Sequence, residues 1–467
     1  MLREFSSFIR KFKLRRPHII FLGILVLALA LRVYNLPHNV NFDFDQEFAA
    51  TFATDVIKFP IRMVGQSLSV QGLFDGPFYF YLMTPFFMLT HLHPLGGFLG
   101  SAIFGVAIVA AYYFVLREVF DEKTALLAAF IRAVLFTKIT QDLYLNPAFS
   151  AEISVLLTWF CFYKYWKGDT RFLLPLAFIF GMYTSLHPVL FPFYLVFILV
   201  FLIKRKLPSL KIFLASVALF ILPVSPLILF EYFRKLTEIK ALFSVNHSGD
   251  IETRGLQTVL NYLNLYFNYP ISLLGAVVPK VWQLSYLTLI WGLILLAAGK
   301  RIGFWKVNFH LVFFVLTVLA FTFYYYVLKT HSPEYHFLGV EILFFIYFVA
   351  TVSLLFKKFK QLPPAIAFLL FAINFSSLHA FWNRSFHISL YDKDRIVKEI
   401  SKKEKGNNNI NIYNKIDFGQ QYGLGYLERW YHLDPHGGSP TYIIVIPTNG
   451  KDKYALKSGQ VGLIIQK

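Results

Sequence analysis

One cysteine stands among 467 residues, Cys161, and it lies inside an apolar run, so no disulfide can form within the chain. Charge is scarce as well. Asp, Glu, Lys and Arg make up 15% of the residues, where soluble domains carry roughly a quarter. Acids are the scarcer sign, 26 against 45 Lys and Arg, for a formal charge of +19. The sequence holds no internal repeat, no glycine-rich phosphate loop and no Cys/His cluster with metal-ligand spacing. It carries no nucleic-acid module either, so the basic excess reads as cytoplasmic loops and contact with anionic lipid, and no nucleic acid is expected as a partner.

What the chain has in quantity is apolar length. It is 57% hydrophobic and 19% aromatic, and several runs approach or exceed the ~18 residues needed to cross a bilayer. The expected architecture is an all-α polytopic membrane protein. Six basic residues precede Pro17, and the apolar segment 17–36 follows without a small-residue cleavage site, which predicts a retained first helix with its N-terminus in the cytoplasm. Further spans are expected near 98–116, 124–137, 148–166, 211–230, 285–299, 307–327, 337–356 and 364–381. Residues 172–203 are too long for one crossing. Pro188 disfavours helix at His187, so two short helices joined at Ser185–Pro188 are expected. The segment 78–89, aromatic and broken by Pro85, is expected to be a short interfacial helix, and the apolar patch PISLLGAVVP within 231–284 to be re-entrant. That makes about eleven spans. The basic clusters LRR, KRK, GKR and KKFK then fall on one side, with the C-terminus opposite.

Composition shifts near residue 382. YDKDRIVKEISKKEK has helical spacing, while NINIYNK, TYIIVIP and VGLIIQK have strand character. Residues 1–381 are therefore expected to form the membrane domain and 382–467 a small α/β domain on the outer side.

The stretch FDFDQEFAATFATD, residues 42–55, sets four acids directly after the first span with no Lys or Arg among them. Asp43 and Asp45 alternate with Phe42 and Phe44, which suggests carboxylates held at an apolar interface, where they can serve as general bases. A second motif, GLFDGPFYFYLMTPFF at 72–87, follows within the outer loop 37–97. Residues alone imply an outward-facing acid site on a polytopic membrane protein.

The order and sidedness of FDFDQEF, DGPFYFYLMTPF, TQDLYLNPAF and TSLHP resemble the polyprenyl-phosphate-sugar-dependent glycosyltransferases of the GT-C fold. The nearest group is family 39, with its aminoarabinose and protein O-mannosyl transferases. The resemblance covers roughly residues 15–205 by motif and the rest by topology. It implies a plasma-membrane, multi-pass enzyme whose active site faces outward. A lipid, glycan or protein hydroxyl would be the acceptor, attacking the donor's anomeric carbon with inversion. On this resemblance Asp45 falls on the catalytic loop-1 Asp, with Asp43 as the nearest substitute. Glu47 falls at a variable position, and Asp75, Pro77, Tyr79 and Tyr81 fall on the tyrosine-rich element. Gln141–Asp142 stand where relatives have Ser-Arg, and His187–Pro188 where they have Lys-Gly; the Arg that usually follows the acid pair is absent.

Lys138, Asp142, Asn146, His187, His331 and His336 complete the expected substrate-binding set, with Arg62, Lys329 and Arg384 as further outer-loop cations. His331, Glu334 and His336 also offer ligands for a divalent metal ion. Arg132 is the one charge deep in a span, and Glu152 and Glu341 lie near outer helix ends. A transporter or flippase of lipid-linked substrates is the competing class. It would call for broken helices in paired halves near the midplane, and only one broken pair is present.

Overall fold

The computed structural model describes residues 16–68, 72–237, 240, 309–328, 338–355, 359, 361–383, 388–405, 409–417 and 420–466. The first helix, α1, runs Arg16–Val33, followed by the single turn α2 (Leu36–Asn39). The acid stretch is itself helical: α3 spans Phe44–Lys58. Next come α4 (Phe78–Leu89), α5 (Leu95–Val119), α6 (Glu122–Val134), α7 (Phe136–Asp142) and α8 (Pro147–Ser150). They are followed by α9 (Glu152–Trp166), α10 (Leu173–Leu186), α11 (Pro192–Lys204) and α12 (Leu210–Phe233). The later apolar helices are α13 (Phe309–Leu328), α14 (Leu338–Leu355) and α15 (Leu362–Trp382). Each expected span except 285–299 coincides with helix, and 285–299 lies outside the described residues, as does PISLLGAVVP.

Among the described residues, four helices are long and apolar enough to cross a membrane, or five if the bent pair α6–α7 counts as one span. The others are shorter apolar helices packed among them. The chain is a multi-pass membrane protein. The predicted break at Ser185–Pro188 is present: α10 stops at Leu186, His187 is extended, and a single 3₁₀ turn, Pro188–Leu190, leads into α11.

The 68° bend between α6 and α7 was not expected. Leu135 is extended there, which frees backbone groups in a region that offers little water. Two distant side chains satisfy them. Asn374 of α15 accepts from the Phe136 N–H at 2.7 Å, and Arg32 of α1 donates to the Ala133 carbonyl at 3.2 Å.

The C-terminal domain opens with α16 (Leu390–Glu404), whose start is fixed by a reciprocal capping box between Ser389 and Asp392. Its buried Leu390, Lys393, Ile396, Val397 and Ile400 recur at helical spacing. Then follow β1 (Asn411–Ile416), α17 (Leu424–Trp430), β2 (Thr441–Ile446), β3 (Leu456–Ser458) and β4 (Val461–Gln466). The sheet order is β1-β2-β4-β3. β1 pairs parallel to β2 from Asn411↔Thr441; β2 and β3 both pair antiparallel to β4. The parallel pair needs a crossover, and the β1–β2 connection contains α17. Apolar side chains of this domain, among them Leu390, Leu424 and Leu427, join the hydrophobic cluster of the membrane helices.

Candidate functional site

The acids that follow α1 do not share one fate. Successive helical residues turn by about 100°, so side chains two apart diverge by roughly 200°. Asp43 precedes α3, and its Oδ1 lies 3.3 Å from the Lys393 ammonium. The Asp43 N–H donates to Gln46 Oε1 (3.1 Å), and the Gln46 amide donates to the Tyr144 carbonyl at 2.6 Å. Glu47 points into the C-terminal domain: its two oxygens accept from the Gly423 N–H (2.9 Å) and the Tyr426 N–H (3.1 Å). Asp55, further along α3, pairs with Arg62 at 2.6 Å.

Asp45 differs from Asp43 and Asp55 in lacking an ion pair among the described residues, and from Glu47 in being held by side-chain and not backbone amides. It is half-buried, and its partners are two neutral amides. Gln66 donates to Oδ1, and Asn146 donates to Oδ2 at 2.9 Å. Among the described residues it has no ion-pair partner. Asn146 is held in turn, its Oδ1 capping α8 by accepting from the Ala148 N–H at 2.8 Å. Gln66 is fixed through its strand-like segment, where its carbonyl accepts from the Asp75 N–H at 2.8 Å and the Gly65 N–H donates to the Asp75 carbonyl at 2.6 Å. Asp75 thus anchors the hairpin that presents Gln66, and its side chain is buried.

The tyrosine-rich element is structural in its contacts. Tyr79 is buried in the hydrophobic core. The Tyr81 hydroxyl accepts from the Arg62 N–H at 2.7 Å and donates to the Arg62 carbonyl at 2.9 Å, fastening the chain at 60–62. Tyr81→Phe removes both bonds and is predicted to cost about 1 kcal/mol locally. Limited trypsin cleavage after Arg62 should then quicken about fivefold; an unchanged rate would show that the hydroxyl does not hold the loop.

Lys138 and Asp142, expected at the substrate, lie in a buried ionic cluster. The Arg132 guanidinium donates to Asp142 Oδ1 and Oδ2 (2.8 and 3.0 Å) and to Glu152 Oε1 and Oε2 (3.0 and 2.8 Å). Arg32 donates to Asp142 Oδ2 at 2.7 Å, and the Tyr112 hydroxyl to Glu152 Oε1 at 2.9 Å. Lys138 pairs with Glu341 and stands 3.6 Å from Glu152. The cluster therefore holds three cations and three carboxylates, drawn from α1, α6, α7, α9 and α14. Burying charge is tolerable only with this kind of pairing. Gly105 permits it, since a Cβ there would sit 2.4 Å from the Asp142 carboxyl carbon. The same segment delivers Asn146 to Asp45 four residues after Asp142.

His187 Nδ1 accepts from the Val189 N–H at 3.2 Å, so the imidazole caps the turn between α10 and α11. His331, His336, Glu334, Lys329 and Arg384 lie outside the described residues. Among the described residues, no three His, Cys, Asp or Glu side chains converge as a metal site. Gln66 and Lys393 went unread in the sequence. Neither belongs to a motif, and each meets its acid only through the fold.

Residues 75–230 match the model of a family described as dolichyl-phosphate-mannose-protein mannosyltransferase. No curated protein matches the chain. Among solved structures, the chain is similar to ArnT from Cupriavidus metallidurans in the apo state, with a TM-score of 0.61 and 10% identity, over 95% of this chain and 97% of that one. ArnT bound to undecaprenyl phosphate gives 0.58 at 10% identity, over 96% and 97%. The Archaeoglobus fulgidus oligosaccharyltransferase in complex with Zn and sulfate gives 0.48 at 15% identity, over 90% and 62%. At these identities the likeness to ArnT is one of fold, and it extends through the C-terminal domain.

Proposed function

Starting from a membrane glycosyltransferase with the GT-C fold, we propose that this chain moves a sugar from a polyprenyl-phosphate donor to an acceptor hydroxyl at the outer face of the plasma membrane. The donor class is supported by the matched family's description and by the undecaprenyl phosphate bound to ArnT. One observation carries the assignment of the base. Of the loop-1 acids, Asp43 is met by Lys393 and Asp55 by Arg62, and Glu47 is tied up by the backbone N–H groups of the C-terminal segment, while Asp45 is held only by two side-chain amides. Its charge is oriented but not neutralised, which is what a general base needs.

In the proposed step the acceptor oxygen attacks the anomeric carbon and its proton passes to Asp45. The bond from that carbon to the phosphate oxygen breaks, and polyprenyl phosphate leaves. Direct displacement inverts the anomeric centre. Positioning supplies much of the rate, since the leaving group is already good. Arg62, which lies over Phe48 and Phe52 and pairs with Asp55 at 2.6 Å, is the proposed contact for the departing phosphate, which would draw the guanidinium away from Asp55.

The test is consumption of radiolabelled donors by the purified protein in proteoliposomes, across undecaprenyl- and dolichyl-phosphate mannose, glucose and aminoarabinose. Turnover of one donor supports the reading. Downhill movement of intact donor across the bilayer, without sugar release, would replace it with transport. Asn146→Ala is predicted to lower kcat about tenfold by freeing one Asp45 oxygen, with KM for the donor little changed. A rise in KM at constant kcat would make Asn146 a donor contact instead.

A further inference from the structure

The helix that carries Asp45 is gripped at its first turn by one side chain and two backbone N–H groups more than three hundred residues further along. Lys393 is wholly buried, and its three N–H donors are all directed at fixed oxygens. They reach the Phe42 carbonyl at 2.9 Å, the Tyr422 carbonyl at 2.8 Å and Asp43 Oδ1 at 3.3 Å. Burial lowers the ammonium's pKa, and Asp43 opposes that drift. From the other side of the same turn, Glu47 accepts the N–H groups of Gly423 and Tyr426. Gly423 has φ +86°, and a Cβ there would lie 2.4 Å from the Phe42 carbonyl oxygen, so the two chains meet at backbone distance. The Leu390 N–H donates to the Val40 carbonyl at 2.8 Å, tying α16 to the residues just before α3.

Asp45 sits between these holds, with Asp43 before it and Glu47 after it. Two domains could be joined by apolar contact at lower cost than a buried ammonium. What the ammonium adds is direction, because its donors fix where α3 begins and hence where Asp45 points. We infer that Lys393 is a positioning residue for the proposed transfer, and that the C-terminal domain is a working part of the active site rather than a cover. This inference rests on Asp45 acting as the base.

The experiment uses the full chain in proteoliposomes, the donor that wild type consumes, and two variants. Lys393→Met removes the charge and keeps the length. Gly423→Ala keeps every charge and pushes the domain off Phe42. Both are expected to lower kcat about 10–100-fold with donor KM within about twofold, and to raise hydrogen exchange across 42–58. Equal kcat in either folded variant overturns the inference, as does a fall in kcat that only tracks the fraction of folded protein. If Lys393→Met does not fold, Gly423→Ala decides alone. Asp45→Asn is run beside them. Normal turnover in Asp45→Asn would sink the base assignment itself, whereas a dead Asp45→Asn beside a normal Lys393→Met would sink only the positioning role.

Discussion

Asp45→Asn is expected to lower turnover of the lipid-phosphate sugar by about 10²–10⁴-fold, the range general-base catalysis supplies. The substitution keeps the side chain's shape. It removes the charge and one acceptor, so one of the Gln66 and Asn146 amides must now face another N–H group. Binding of undecaprenyl phosphate should survive, because the proposed base acts on the acceptor and not on the carrier. Glu118→Gln serves as control. That carboxylate is exposed and pairs with Lys164, away from α3, and its loss should leave turnover unchanged. Loss of carrier binding in Asp45→Asn would move the residue from base to donor contact, and full turnover would send the search for the base elsewhere.

Arg132→Met should be the most destabilising single change. It leaves Asp142 and Glu152 buried together, with Arg32 and Lys138 as their remaining counter-charges. Breaking a buried pair by removing one partner costs about 3–5 kcal/mol, because the remaining charge keeps its desolvation penalty. Thermal unfolding in detergent, followed by tryptophan fluorescence, should show a clearly lowered midpoint. The triple variant Arg132→Met, Asp142→Asn, Glu152→Gln removes the uncompensated charge and should recover much of it. If the single variant melts with wild type, the cluster does not hold α6, α7 and α9 in register. If the triple recovers nothing, packing of the guanidinium matters more than its charge.

The apolar runs made most of the membrane helices legible, because hydrophobic length is a local property. The break at His187–Pro188 was legible for the same reason: a proline restricts the residue before it wherever the chain lies. The elements of the C-terminal domain followed from spacing and strand character. The bend at Leu135 carried no such mark. It is sustained by Asn374 and Arg32, which lie far away in sequence.

Pairings were the hardest to read. Arg132 stood out as a lone buried charge, yet its partners, ten and twenty residues on, read as an outer-loop acid and a helix-end acid. Asp43, Asp45 and Glu47 look equivalent in the sequence. Their roles separate only when Lys393, Gly423, Gln66 and Asn146 arrive from elsewhere in the fold. The motif singled out Asp45, but the contacts that set it apart from its neighbours are tertiary.

The ionic cluster also has an order in time. A chain made from its N-terminus presents Arg32 to the bilayer before its counter-ion exists, since Asp142 lies 110 residues later. Arg132, Lys138, Asp142 and Glu152 then arrive nearly together, but the third carboxylate, Glu341, follows about two hundred residues later. Until that late helix is laid in, the half-built bundle carries a surplus positive charge in its interior. Membrane insertion of this protein therefore needs something to shield that charge, be it water, lipid phosphate or an insertion factor, and the last helices to enter relieve it.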